Sequence, residues 1–149
     1  MDIKSKIELS QQQIAEKSAV VMHNADNCAK TLGMTVTKVT PGSSTVVMSV
    51  VDAYINGHGF CQGGIIATLA DTAFAHASNS YNKVTVAQGL SIDFVRPVKL
   101  GETLTATASE IFRGRLIGAY KVLVVNQQEK LVAVMTGKSF SKNDAVFVD

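Results

Sequence analysis

Two periods divide the chain. From Met34 to Val51, and again from Val84 to Phe140, apolar and polar residues alternate position by position, as half-buried strands do. Between them, 61–81 repeats its apolar residues at intervals of three and four, as a helix does. The first alternating block reads MTVTKVT, then the turn residues PGSS, then TVVMSVV, which predicts a β-hairpin. After the helix come VTVAQGLSIDFV, TLTATASEIF, LIGAYKVLVV and LVAVMTGKSF, joined by RPVKLGE, the Arg-Gly-Arg turn at 113–115 and NQQEK at 126–130. Connections this short predict an antiparallel meander. Ahead of the hairpin, Ile7, Leu9, Ile14, Ala15, Ala19, Val20 and Met22 form a loose helical pattern over 6–24. Asp26 is placed to cap a short turn through Ala29–Leu32, which Gly33 ends. The fold class is α+β: a strongly curved antiparallel sheet against one long helix of roughly 30 Å. An N-terminal helical segment, 1–33, and a core, 34–142, make a single domain over 1–149.

Composition narrows the function classes. The chain has 149 residues, 46% hydrophobic and 17% charged, which suffices for one core. A net charge of +2 with scattered lysines does not suggest nucleic acid. The arginines Arg96, Arg113 and Arg115 do fall close together, which suits a small phosphorylated ligand. Cys28 and Cys61 lie far apart without metal-ligand spacing, so two free thiols and neither a zinc site nor a disulfide framework are expected. No metal and no cofactor are expected. His23 and Cys28 are read as packing and capping residues. The polar, glutamine-rich opening predicts no signal peptide, and no apolar run reaches the roughly 20 residues of a membrane span. A cytoplasmic protein with no membrane partner is the expectation.

The candidate chemistry gathers at 55–80, INGHGFCQGGIIATLADTAFAHASNS. Loop residues Asn56 and His58 lead through Gln62 to Gly63 and Gly64 in the first helical turn, where backbone N–H groups lack intrahelical partners. Such a terminus polarises a carbonyl oxygen, and Gly63 leaves room for one to approach. The glycines equally allow close packing, and both readings stand. Asp71 is an acid in an apolar helix, a general base or nucleophile whose basicity rises with desolvation, or else a surface acid bonded to a neighbouring subunit. On one side of the helix Ile65, Ile66, Leu69, Ala73 and Phe74 are apolar. On the Asp71 side Gly64, Ala67, Ala75 and Ser78 are small, so a second backbone can come close. Eight helical residues separate Gly63 from Asp71 by about 12 Å, too far for one carbonyl. Two antiparallel copies of the helix would instead pair the acid of one subunit with the glycine of the other.

The run NGHGFCQGG with LADTAFAHASNS, preceded by NCAKTLGM and followed by SIDFVRPVKLGETLTATA, closely resembles the PaaI branch of the hotdog-fold acyl-CoA thioesterases, the phenylacetic acid degradation family. The resemblance implies a hotdog fold, a sheet wrapped round the 61–81 helix, a homotetramer built as a dimer of dimers, and metal-free hydrolysis of acyl-CoA. It implies Asp71 as the catalytic carboxylate, the Gly63 N–H as carbonyl polariser, and Asn56 as the group holding water or thioester. Gln62 stands where the family usually has histidine, and it cannot shuttle a proton. Coenzyme A is expected across the subunit interface, near Arg96, Pro97 and Lys99 and the Arg113–Arg115 turn, with His58 and Gly64 beside the substrate.

Aryl-acetyl groups such as phenylacetyl or hydroxyphenylacetyl follow from the resemblance alone. Phe60, Phe74, Tyr54 and Tyr81 would line an aryl pocket or fill the core. Two alternatives remain: a hydroxyacyl thioester dehydratase or hydratase using His58 with Asp71, and a non-catalytic acyl-CoA-binding protein. His76 is expected to pack within the helix or the interface.

Overall fold

A computed structural model describes residues 8–148; Ile7 of the helical pattern lies outside them. The elements run α1 (Gln11–Ala25), α2 (Asn27–Thr31), β1 (Thr35–Thr40), β2 (Ser43–Ser49), a one-turn 3-10 helix (Asp52–Tyr54), α3 (Gly63–Ser78), β3 (Thr85–Phe94), β4 (Thr103–Arg113), β5 (Ile117–Val125) and β6 (Leu131–Ser141). No helix among the described residues is long and apolar enough to cross a membrane. The N-terminal pattern forms one helix from Gln11. Ser10 starts it with a reciprocal box in which its hydroxyl accepts from the Gln13 N–H and the Gln13 side chain accepts from the Ser10 N–H. As expected, the Asp26 carboxylate accepts from the Ala29 N–H at 2.9 Å, and Gly33, at φ +67°, ends α2.

The six strands form one curved antiparallel sheet in the order β1-β2-β4-β5-β6-β3. The meander expected after the helix holds only for β4, β5 and β6. β3 pairs with β6, Thr85 opposite Ser141 and Phe94 opposite Ala133, and the chain crosses through 95–102 to place β4 beside β2. The connection RPVKLGE is therefore a crossover strap, not a hairpin turn. Among the described residues β3 is left as an edge strand.

α3 is shorter than the pattern suggested, Gly63–Ser78 in place of 61–81, so it spans about 24 Å. Its C-terminal stop is polar. The Asn79 amide donates to the carbonyls of Ala75 and Thr85, and its oxygen accepts from the Thr85 N–H, which fixes where β3 begins. The Ser80 hydroxyl accepts from the Gly42 N–H at 2.8 Å and pins the β1–β2 turn to the helix end. On the sheet side Ile66, Leu69, Ala70, Ala73, Phe74 and Ala77 are buried against Val46, Leu104, Ala106, Tyr120, Val122 and Met135. The Phe74 ring lies 5.4 Å from that of Tyr120 and over Gly137, where an added Cβ would come within 3.1 Å of it.

α1 packs near the C-terminal half of α3 and buries an unusual polar group. His76 is 2% exposed, its ring 6.4 Å from that of His23, and neither Nδ1 has a hydrogen-bond partner among the described residues. Desolvation, with a smaller push from His23 and an opposing pull from Asp26, lowers the His76 pKa to about 4. The unfolded chain takes up this proton near pH 6.5 while the folded chain resists until about 4. Stability should therefore fall as pH drops through that window, by on the order of 3 kcal/mol at its lower end. Urea midpoints at pH 7 and pH 4.5 should diverge for the native protein and converge for His76→Leu.

Candidate active site

The N-terminal end of α3 is braced from three directions. The Cys61 N–H donates to Val98 O and the Gln62 N–H to Tyr54 O, both at 2.7 Å, and Ile55 bridges Cys61 to close the preceding loop. Tyr54 in turn donates its hydroxyl to Leu32 O at 2.7 Å, tying this end to α2. Gln62 adopts a non-helical ψ of 129° and its side chain does not cap the helix. The first helical hydrogen bonds reach back only from Ile65 and Ile66, so the N–H groups of Gly63 and Gly64 have no acceptor among the described residues. They present the positive end of the helix dipole to a partly open surface.

The two glycines have different surroundings. A Cβ on Gly63 would meet the tip of the Phe94 ring at 3.1 Å, whereas one on Gly64 would meet nothing within 4 Å. Close packing and carbonyl access thus coexist at Gly63. Beside them a cleft of about 340 Å³ is lined by Cys61, Gly63, Ile66, Phe94, Pro97 and Val98, with Arg96 the one charged residue on it among the described residues. Burial raises the Cys61 pKa above the ordinary thiol value, which favours the neutral thiol.

Asn56 has a job in the loop as well as a candidate one in the site. Its side-chain oxygen accepts from the N–H groups of His58 and Phe60, at 2.9 and 3.2 Å, while its backbone N–H donates to Phe60 O. Only the amide nitrogen is left to hold a ligand. The side chains of His58 and Gln62 are exposed and make no hydrogen bond among the described residues.

Asp71 lies two turns along α3, on the less buried side that carries Gly64, Ala67, Thr68 and Ala75. It makes no hydrogen bond or ion pair among the described residues. Desolvation raises its pKa above the ordinary carboxylate value, which makes the ionised form more basic. Ser78, expected on this side, is buried and donates to Ala75 O.

The basic residues do not converge within one chain. Arg96, Pro97 and Lys99 sit on the strap at the Gly63 end of α3. Arg113 pairs in register with Gly118, beside the Ile117–Phe140 and Thr85–Ser141 pairs at the other end. Eight residues of strand, about 25 Å, separate the two groups. Arg113 is also engaged there: its guanidinium lies 3.7 Å from the Tyr81 ring centroid, and its Nε is 3.7 Å from Glu110, which accepts from Tyr81 and Tyr120. Tyr81 is thereby a structural residue, as are the buried Phe74 and Tyr54. The residue that sequence reasoning missed is Phe94, because a phenylalanine closing an alternating strand looks like core until the helix beneath it is placed.

Asn56→Asp keeps the acceptor that orders the loop and should melt close to the native protein. Asn56→Ala loses both bonds and should cost about 1–2 kcal/mol in denaturant unfolding.

Comparison with known proteins gives a consistent result. Residues 58–133 match the family model described as the thioesterase superfamily. The chain is 45% identical over 125 residues to the Escherichia coli K12 acyl-coenzyme A thioesterase PaaI, covering 84% of this chain and 89% of that protein. The solved E. coli PaaI structure, from the phenylacetic acid degradation operon, superposes with a TM-score of 0.90 at 42% identity, covering 91% and 99% of the two chains. A Streptococcus mutans UA159 protein solved bound to acetyl CoA superposes with a TM-score of 0.73 at 30% identity, covering 75% and 90%.

Proposed function

The chain belongs to the thioesterase superfamily and hydrolyses acyl-CoA thioesters, and we propose that its acyl groups are aryl-acetyl and that Asp71 acts as base across a dimer interface. The observation that carries the chemistry is the uncapped start of α3, whose Gly63 N–H has no acceptor among the described residues, on the same helix as a desolvated Asp71 with no partner among them. The thioester oxygen accepts from the Gly63 N–H, and the Asn56 amide holds a water. Asp71 of the other subunit takes the proton of that water as it attacks the carbonyl carbon. The oxyanion then collapses and the coenzyme A thiolate leaves. Gln62 hydrogen-bonds without transferring a proton. The reaction as proposed uses no metal and no cofactor beyond the coenzyme A carried by the substrate.

Three features support a composite site. The length of α3 between Gly63 and Asp71 prevents both from reaching one carbonyl. The small residues beside Asp71 admit a second helix. Among the described residues the ten-residue β3 has one backbone edge unpaired, the kind of edge that natural proteins cover. An antiparallel partner would also bring Arg113 and Arg115 of one subunit toward Arg96 and Lys99 of the other, a setting for the phosphates of coenzyme A with His58 and Gly64 alongside. Assembly of two such dimers into a tetramer completes the reading. The free thiols Cys28 and Cys61 suit a reducing cytoplasm.

The aryl-acetyl assignment draws on the similarity to E. coli PaaI, and a thiol-release assay over aryl, short and medium acyl-CoAs tests it. Asp71→Asn should lower kcat by at least about a hundredfold. The same variant should melt at or above the native temperature, because it removes a charge that folding desolvates. Native kcat/KM should decline toward acid with an apparent pKa above 3.8. Single-turnover hydrolysis in heavy-oxygen water should place no label in Asp71; label there would replace the base by a nucleophile. Normal turnover by Asp71→Asn and Asp71→Ala on every substrate would end the assignment.

A further inference from the structure

Phe94 stands where three constraints meet. Its ring tip lies against Gly63, 3.1 to 3.5 Å from the position of an added Cβ, and the contact is held from both sides. The strand end beyond it is anchored by the Val95 N–H on Val132 O at 2.8 Å, and the helix start by the Cys61 N–H on Val98 O. The residue is nevertheless 49% exposed. A large apolar group fixed beside the helix start yet half open to solvent is poorly explained by core packing alone.

Register gives the direction of what lies beyond it. Leu90, Ile92 and Phe94 face Gly137, Met135 and Ala133 across the β3–β6 pair, so they share the inner face of the sheet with the buried Met135 and Ala133. Leu90 is 45% exposed and Ile92 packs on the edge of the core. This apolar stripe runs from Gly63 alongside α3, away from the strap that carries Arg96 and Lys99. A thioester whose oxygen meets the Gly63 N–H has two arms. The phosphorylated arm belongs on the cationic side, which leaves the acyl arm to the Phe94 stripe.

We propose that Phe94 is the specificity-determining residue for the acyl group, its ring forming the wall against which the first carbons beyond the carbonyl must pack. This rests on the thioesterase reading of Gly63 and Asp71. Flat or bulky acyl groups gain contact with the ring that acetyl cannot make. Gly63 and Phe94 form a matched pair, since any side chain at 63 displaces the ring by a few tenths of an ångström.

The test is kcat/KM for acetyl-CoA and for phenylacetyl-CoA, with hexanoyl-CoA as the bulky substrate if the aryl one is not turned over. It compares the native enzyme with Phe94→Ala, Phe94→Leu, Gly63→Ala and the Gly63→Ala/Phe94→Ala double variant. Phe94→Ala should reduce the preference for the bulky substrate over acetyl-CoA by about tenfold, with Phe94→Leu between. Gly63→Ala should cost less when combined with Phe94→Ala than in the native enzyme. An equal loss on all substrates, an unchanged preference, or strict additivity of the two substitutions would overturn the proposal. Phe94→Leu, checked by its melting temperature, decides the matter if the alanine variant does not fold. With Asp71→Asn inactive, such a result refutes the role of Phe94 alone; with Asp71→Asn active, the underlying reading has failed.

Discussion

Everything at the site depends on how α3 is seated in the curved sheet. The helix buries a face built from Leu69, Ala70, Ala73, Phe74 and Ala77, in which the small residues allow a close approach and Phe74 fills the space over Gly137. The Ser44 hydroxyl adds a bond to Ala73 O in the middle of the helix, at 2.5 Å. With rotation and position about the axis so fixed, the opposite side of α3 is fixed too, and it carries Asp71. The burial that stabilises the fold also aims the acid.

The ends of α3 are treated in opposite ways. The C-terminal end is saturated: Asn79 and Ser80 bond to helix carbonyls, to the first residue of β3 and to the β1–β2 turn. The N-terminal end is braced through its backbone but left without a side-chain cap. An uncapped helix start costs stability of about 1 kcal/mol, and an unpaired, desolvated acid adds to the cost. Local disagreement of this kind with the rules obeyed elsewhere in the chain is what a site shaped for chemistry would show.

Distance along the chain and distance in space part company at the basic residues. Arg96 and Arg113 are close in sequence because a crossover and one long strand separate them, yet that strand carries them to opposite ends of the sheet. Arg113 is then occupied by Tyr81 and Glu110. Arg96 instead lines the cleft beside Gly63.

The sequence by itself determined the elements and their types, because a period of two or of three to four is a local property of which face is wet. It also placed Asn56, Gln62, Gly63 and Asp71 around one helix, and the motifs at 56–64 and 69–80 were specific enough to indicate the family. The strand order was decided only by the tertiary structure. Antiparallel pairing with β6 or with β4 leaves the alternation of β3 unchanged, and only packing around α3 selects between them. The divergent surroundings of Gly63 and Gly64, the structural half of Asn56, and the place of Phe94 over the helix start were likewise invisible. Each is a contact between segments distant in the chain, created when the sheet closes round the helix, and no local pattern encodes it.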